Sequence, residues 1–302
     1  MRKDILEHYL TTGTYTFSGP YKDYFKSLPD DIAELSRLVC SQVIHRVTLK
    51  DGNSGANENL IYGDMTKFPW YRLRCDDDVL MTAAAMTTEL FRLDDRGFTF
   101  DRAVENKIVV TCRYVSVLMS AILKAKGIPC RSRSGFAPYF RLGSSMDHWI
   151  NEYWNEKESR WVAIDADGFF DEKTLGFNQY DIAKDKFDYA GKTWLDIRTG
   201  KVIGSHFIYA DSAGTNSLKA VIRALFYDFH SLMNNEISYE FQPKYVSKKF
   251  ESLTENDLKE LDDLALFLKD PDKNFEKIKN LWETVKKFRI LNSPLIGDAD
   301  NI

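Results

Sequence analysis

The sequence predicts an α+β fold, a helix-on-sheet core between helical N- and C-terminal flanks. Three observations predict it. An apolar helical stripe opens at Cys112 and closes at Gly127. Two stretches of strand pattern, 147–154 and 161–167, follow it at hairpin spacing. Helical periodicity then returns from about residue 216. The expected organisation is a mostly helical flank over 1–105, a core over 106–215 and a helical flank over 216–302. All three are expected to pack as one globular unit.

Composition bounds the class. The 302 residues are 44% hydrophobic, 28% charged and 14% aromatic, an ordinary globular balance with material for an aromatic-walled pocket. A net charge of −4 argues against a nucleic-acid partner, which a basic face would accompany. Cys40, Cys75, Cys112 and Cys130 show no C-x-x-C pairing, so neither a disulfide framework nor a zinc site is expected. Met1 to Leu10 carry charges and no apolar h-region, and no apolar run approaches the roughly 18 to 20 residues of a membrane span. The expectation is a cytoplasmic protein with reduced thiols, no membrane partner, no cofactor and no metal.

The elements follow in order. Pro29, Asp30 and Asp31 suit the start of a helix that carries Ile32, Leu35, Val39 and Val43 inward. Asp51 to Asn59 reads as a polar surface loop. Asp76, Asp77 and Asp78 read as cap and dipole complement of a helix over 79–93, rather than as a metal site. Phe98 to Val110 is irregular or partly extended.

Thr111 is the expected N-cap of the next helix, with Cys112 its first residue. Val115, Leu118, Met119, Ile122 and Ala125 form its apolar face, Gly127 its C′ stop, and Pro129 bars continuation. Cys130 to Phe136 is expected as a strand and Ala137 to Ser145 as a loop. In the two strands that follow, His148, Ile150, Glu152 and Trp154 share one face, as do Trp161, Ala163, Asp165 and Asp167. Pairing Trp154 with Trp161 sets Asp167 opposite His148, whereas a two-residue shift sets Asp165 there. Short strands are expected at 192–197 and 206–210. Helices are expected from Asn216 or Ser217, after a capping box at Thr254 and Asp257, and after Pro271, with a frayed tail from Pro294.

Cysteine, histidine and acid in this order are the parts of a nucleophilic acyl-transfer site. A helix N-terminus favours the thiolate of Cys112, and its backbone N–H is available to an oxyanion. His148 can serve as acid and base, with an acid on its face fixing the tautomer. Trp149, Tyr114 and Trp70 are the candidates for a second oxyanion donor. Taken singly, a helical cysteine is more often a buried hydrophobe and a strand histidine more often structural; the conjunction is what points to chemistry.

The set Cys112-Arg113-Tyr114, Leu118 to Cys130 (LMSAILKAKGIPC), Ser134-Gly135-Phe136, Asp147-His148-Trp149 and Trp161 to Asp165 resembles the transglutaminase-like superfamily. His148 stands 36 residues after Cys112 and 17 before Asp165, which fits that pattern. The resemblance implies a papain-like core, with the cysteine helix packed on an antiparallel sheet. It implies Cys112 as nucleophile, His148 as general base and acid, and Asp165 as the orienting acid. The flanks resemble those of a bacterial branch of these proteins.

Two departures stand out. Cys130 replaces a common alanine, and Asp165-Ala166-Asp167 replaces the usual D-P-T, so Asp167 is a candidate for binding substrate or for partnering His148. Arg131, Arg133 and Trp149 are further candidates for substrate contacts, an arginine holding a carboxylate by two bonds. The calcium-dependent members carry β-sandwich domains, for which no pattern exists here. The expected activity is cofactor-free acyl transfer through a thioester on an amide, peptide or small acyl substrate, by transamidation or hydrolysis. A peptidase or amidase is one alternative and a non-catalytic scaffold that keeps the fold is another. A metal-dependent hydrolase lacks a second histidine at ligand spacing.

Overall fold

The protein is described by a computed structural model covering residues 2–47, 62–167, 172–209, 217–239, 241–243, 245, 252–289 and 291–292. The loop expected at Asp51 to Asn59 and the tail from Pro294 lie outside the described residues. The chain divides into two interleaved units. Residues 9–130 and 150–182 form one; residues 1–8, 131–149 and 183–302 form the other. The stretch 106–215 therefore contributes to both.

In chain order the longer elements are α1 (Lys3–Leu10), α2 (Lys22–Ser27), α3 (Ile32–Cys40), β1 (Val43–His45), α4 (Ala83–Leu93), β2 (Ile108–Val110), α5 (Cys112–Ala125), β3 (Cys130–Arg141), β4 (Ser144–Asn155) and β5 (Arg160–Ile164). There follow α6 (Glu172–Leu175), β6 (Asp188–Tyr189), α7 (Ala190–Arg198), β7 (Phe207–Ile208), α8 (Ser217–Leu232), β8 (Gln242–Pro243), α9 (Glu255–Leu268), α10 (Phe275–Thr284) and β9 (Leu291–Asn292). The mixed α+β class is as expected, a helix on an antiparallel sheet with helical flanks.

In the unit holding 9–130 and 150–182, α3 starts where the acids predicted, with Asp31 accepting a hydrogen bond from the Glu34 N–H at 2.8 Å. β1 and β2 pair in parallel, Val43 with Ile108, Ile44 with Val109 and His45 with Val110. Ile44 and Val109 pack there with Met65, Phe68 and Val104.

The helix expected over 79–93 begins later, at Ala83, and its cap is Thr82, which accepts from Ala85 N–H. Two of the three acids serve elsewhere: Asp76 accepts from Val109 N–H, and Asp77 accepts from the Thr111 hydroxyl. α5 is buried along all fourteen residues. It stops at Gly127, whose φ of +83° is the left-handed conformation that glycine enters without strain.

α5 lies on the second half of β4. Ser116 Oγ donates to the Ile150 carbonyl at 3.3 Å, and Asn151 Nδ2 donates to Ser116 O and Ser120 Oγ at 2.9 and 2.8 Å. β5 pairs antiparallel with this part of β4 in the register that sets Trp154 opposite Trp161. Its ladder ends at Ile164, because Asp165 N–H turns to the Gln179 carbonyl.

In the other unit the strand order is β4–β3–β6, with β7 parallel to the start of β4. The loop expected at 137–145 is instead strand. β3 runs on through Tyr139 and Phe140, and a two-residue turn at Leu142 and Gly143 leads into β4, with φ of +81° at Gly143. The strand expected at 192–197 is the helix α7. Trp194 is fully buried there and donates to Asp262 of α9 at 2.7 Å, while Lys192 pairs with Asp196 one turn away. α8 presents Val221, Ile222, Leu225, Phe229 and Leu232 to the core. α9 starts at the expected capping box, Thr254 with Asp257. The last helix starts at Phe275, later than Pro271 suggested.

Candidate active site

β2 leads through Val110 and Thr111 into α5, so the ladder with β1 fixes what stands beside the first turn of α5. Thr111 has extended N-cap geometry but makes no side-chain cap bond; its hydroxyl donates to Asp77 instead, at 3.3 Å. The Cys112 backbone N–H is taken up from β1: it donates to His45 Nε2 at 3.1 Å. His45 Nε2 also stands 3.5 Å from Asp167 Oδ2. Asp167 N–H donates to Asp165 Oδ1 at 3.1 Å, and the Asp167 carbonyl accepts from the Cys40 thiol at 3.2 Å. Cys112, Asp165 and Asp167 are buried, 4%, 3% and 6% exposed. One unit thus assembles Cys112, His45, Asp167, Asp165 and Cys40 into a connected set.

Burial first, then the Asp167 charge, pushes the Cys40 thiol up to about 12. Burial and Asp77 push Cys75 up to about 12 as well. Burial also raises the carboxyls of Asp76 and Asp77 above the ordinary range. Arg113, next to Cys112, is fully buried. Its guanidinium lies 4.7 Å from the Tyr15 ring centre and 4.5 Å from that of Tyr114, and donates to the Met81 carbonyl. Cys130 is strand core, beside Ser120 Oγ and Asn151 Nδ2.

The other unit holds His148, 1% exposed, on β4. Aromatic rings wall it: Phe140 at 4.6 Å and 78°, Tyr139 at 6.4 Å and 88°, Phe187 at 6.5 Å and 62° between planes. Edge-on rings hold the imidazole in one orientation and keep water away.

Trp149 is core, packed on Tyr227 with ring centres 5.6 Å apart. Arg131 and Arg133, expected as possible substrate contacts, are buried and engaged. Arg131 pairs with Asp272 at 2.6 Å, and Arg133 makes two bonds to Asp228, at 2.8 and 2.9 Å. The bidentate geometry foreseen for a substrate carboxylate is spent on a carboxylate of α8.

Of the suggested second oxyanion donors, Tyr114 gives its hydroxyl to the Asp77 carbonyl at 2.7 Å and Trp149 is packed away, while Trp70 is 83% exposed on a surface turn. The side chain that meets the Cys112 N–H is His45, which sequence reasoning missed. Its local signal is only a histidine closing the short apolar run Val43-Ile44.

Residues 96–166 match the core model of the transglutaminase-like superfamily, and that span carries such a domain. It includes Cys112, His148 and Asp165 and stops one residue short of Asp167. No curated protein matches the chain. A solved structure described as "a Putative Cysteine Protease from Cytophaga hutchinsonii" is similar, at 14% identity and a TM-score of 0.35, over 63% of this chain and 46% of that one. The chain therefore spans under half the length of that protein. No helix among the described residues is long and apolar enough to cross a membrane, and none of their His, Cys, Asp and Glu side chains group as a metal site.

Proposed function

We propose that the protein is a cysteine-dependent acyl-transfer enzyme, with Cys112 as nucleophile, His148 as acid and base, and Asp165 as the acid that orients His148. The observation that carries this reading is the setting of Cys112. It is the first residue of a fourteen-residue buried helix, and its N–H lies outside the helical ladder. The partial positive charge of such a terminus favours a thiolate. The ring-walled, water-poor setting of His148 suits a group that must hold and return one proton. Asp167 faces His45, which supports giving the orienting role to Asp165.

In this reading the thiolate attacks a carbonyl carbon and the π pair moves to oxygen. The tetrahedral intermediate collapses to a thioester as the leaving amine takes a proton from His148. Water or an amine, deprotonated by His148, then attacks the thioester and Cys112 leaves as thiolate. Water yields an acid and so a peptidase or amidase; an amine yields a new amide.

The test is the iodoacetamide alkylation rate of each cysteine against pH, read by peptide mass spectrometry. Cys112 is expected to react fast near pH 6 and to lose that reactivity in His148→Ala, while Cys40 and Cys75 stay slow below about pH 9. If Cys112 reacts no faster than those two, the catalytic reading falls and a binding scaffold takes its place. With a reactive Cys112, diversion of product by an added amine separates transamidation from hydrolysis.

A further inference from the structure

We propose that Phe140 and Tyr139 form the subsite for the amine half of the substrate, and that they select an amine with an apolar or aromatic substituent. The proposal rests on the acyl-transfer reading above and names a substrate class for it.

His148 fixes the place. As acid it gives its proton to the leaving amine, and as base it takes one from the incoming nucleophile. That nitrogen must come within about 3 Å of an imidazole nitrogen. The substituent it carries then lies among the groups that surround the ring. Phe140 is the closest of the three aromatic walls, its ring centre 4.6 Å from that of the imidazole, with Tyr139 at 6.4 Å and Phe187 at 6.5 Å.

The three rings differ in what they leave open. Phe187 is 1% exposed and forms the back of the wall. It precedes β6, which pairs with β3 at Gly135 and Phe136. A Cβ on Gly135 would lie 2.7 Å from Phe187 Cε1, so the glycine admits that ring. Tyr189 packs edge-on against it, ring centres 5.1 Å apart. Phe140 and Tyr139, by contrast, are only half-buried. The turn of their hairpin also sets an apolar side chain, Leu142, fully in solvent, where a turn would ordinarily carry a polar residue.

A half-exposed aromatic ring gains most from an apolar group, because contact removes water from both. A polar substituent would give up water there for the ring carbons of Phe140. The amine that leaves in hydrolysis and the amine that attacks in transamidation pass through the same place, by microscopic reversibility. One subsite therefore serves either outcome. In the attacking direction the amine nitrogen forms the bond to the acyl carbon, the carbon–sulfur bond breaks to give the Cys112 thiolate, and the proton from nitrogen goes to His148.

The experiment sets two amines in competition for the acetyl thioester of Cys112. The protein turns over p-nitrophenyl acetate with 2-phenylethylamine and 2-methoxyethylamine at equal concentration, and mass spectrometry measures the two N-acetyl amines. The same mixture with Cys112→Ala gives the uncatalysed amide to subtract. The same competition on S-acetyl-N-acetylcysteine gives the intrinsic preference. The expected product ratio favours the phenyl amine about tenfold over that intrinsic preference. Phe140→Ala should bring the ratio back to the intrinsic value, and Tyr139→Ala should lower it in part. A general loss of activity slows both amines alike and leaves the ratio unmoved, so a merely structural role does not mimic this result. Should circular dichroism show Phe140→Ala unfolded, Phe140→Gln replaces it with the same expectation.

A wild-type ratio at the intrinsic value overturns the proposal, as does a preference that survives loss of the Phe140 ring. Acetate formed without either amide also overturns it, because the thioester then forms and no amine reaches it. If Cys112 takes up no acetyl group at all, the acyl-transfer reading itself falls, and this subsite with it.

Discussion

His230 shows how one buried side chain couples stability to pH. It is fully buried in α8, accepts from Asn235 Nδ2 at Nδ1 and donates from Nε2 to the Phe288 carbonyl. Burial lowers it from 6.5 to about 4. Below pH 6.5 the unfolded chain binds a proton that the folded imidazole refuses. The folded state therefore loses stability progressively from pH 6.5 down to 4, by about 3 kcal/mol, and no further below. Melting temperatures between pH 7 and 4.5 should fall less steeply in His230→Gln than in wild type. Parallel curves would mean that the ring protonates without cost.

Residues also mark how far the sequence can be read. Cys112, His148 and Asp165 stand out because each sits in a short local pattern: a capped helix start, an aromatic strand, the end of a β-run. His45 does not, because its partner lies 67 residues away and is reached through a parallel ladder of three pairs. Arg131 and Arg133 misled for the same reason. Their partners, Asp272 in the turn between α9 and α10 and Asp228 in α8, are distant in sequence, and no local pattern links them to β3.

At the level of elements, α7 is the instructive case. Residues 192–197 look extended because Trp194 and Ile197 stand among polar neighbours, and the helix is decided by packing on α9. Gly191 is the point of approach, since a Cβ there would meet the Ala265 carbonyl at 2.7 Å and Leu268 Cβ at 3.0 Å. Gly191→Ala should therefore destabilise by about 1 to 3 kcal/mol, as overpacking does, against the usual helical preference for alanine. A denaturant titration checks it, and an unchanged or raised midpoint would show that the two helices can part without cost. By contrast the stop of α5 and the start of α9 were legible, since Gly127 and the Thr254–Asp257 box are local signals that the tertiary structure leaves intact.

The whole molecule is less modular than the family match suggests. Residues 96–166 hold the cysteine helix and the hairpin, yet their contacts reach outside that span. Cys112 N–H is met by His45, Arg133 by Asp228 and Asp165 N–H by Gln179. A fragment of 96–166 made alone is expected to stay unfolded, since each missing partner leaves a buried polar group exposed to loss. Far-ultraviolet dichroism and amide chemical-shift dispersion check this, and a cooperative melt of the fragment would contradict it.

The β1–β2 ladder also sets a rule for changes in chain length. A residue inserted or deleted between Ile44 and His45 turns the imidazole to the opposite side of its strand, and the same change just before Cys112 displaces the N–H it meets. Between Val47 and Ile108 no such register is at stake for this pair. Relatives built on this plan should differ in length inside that long interval, while the two short stretches at its ends keep their count.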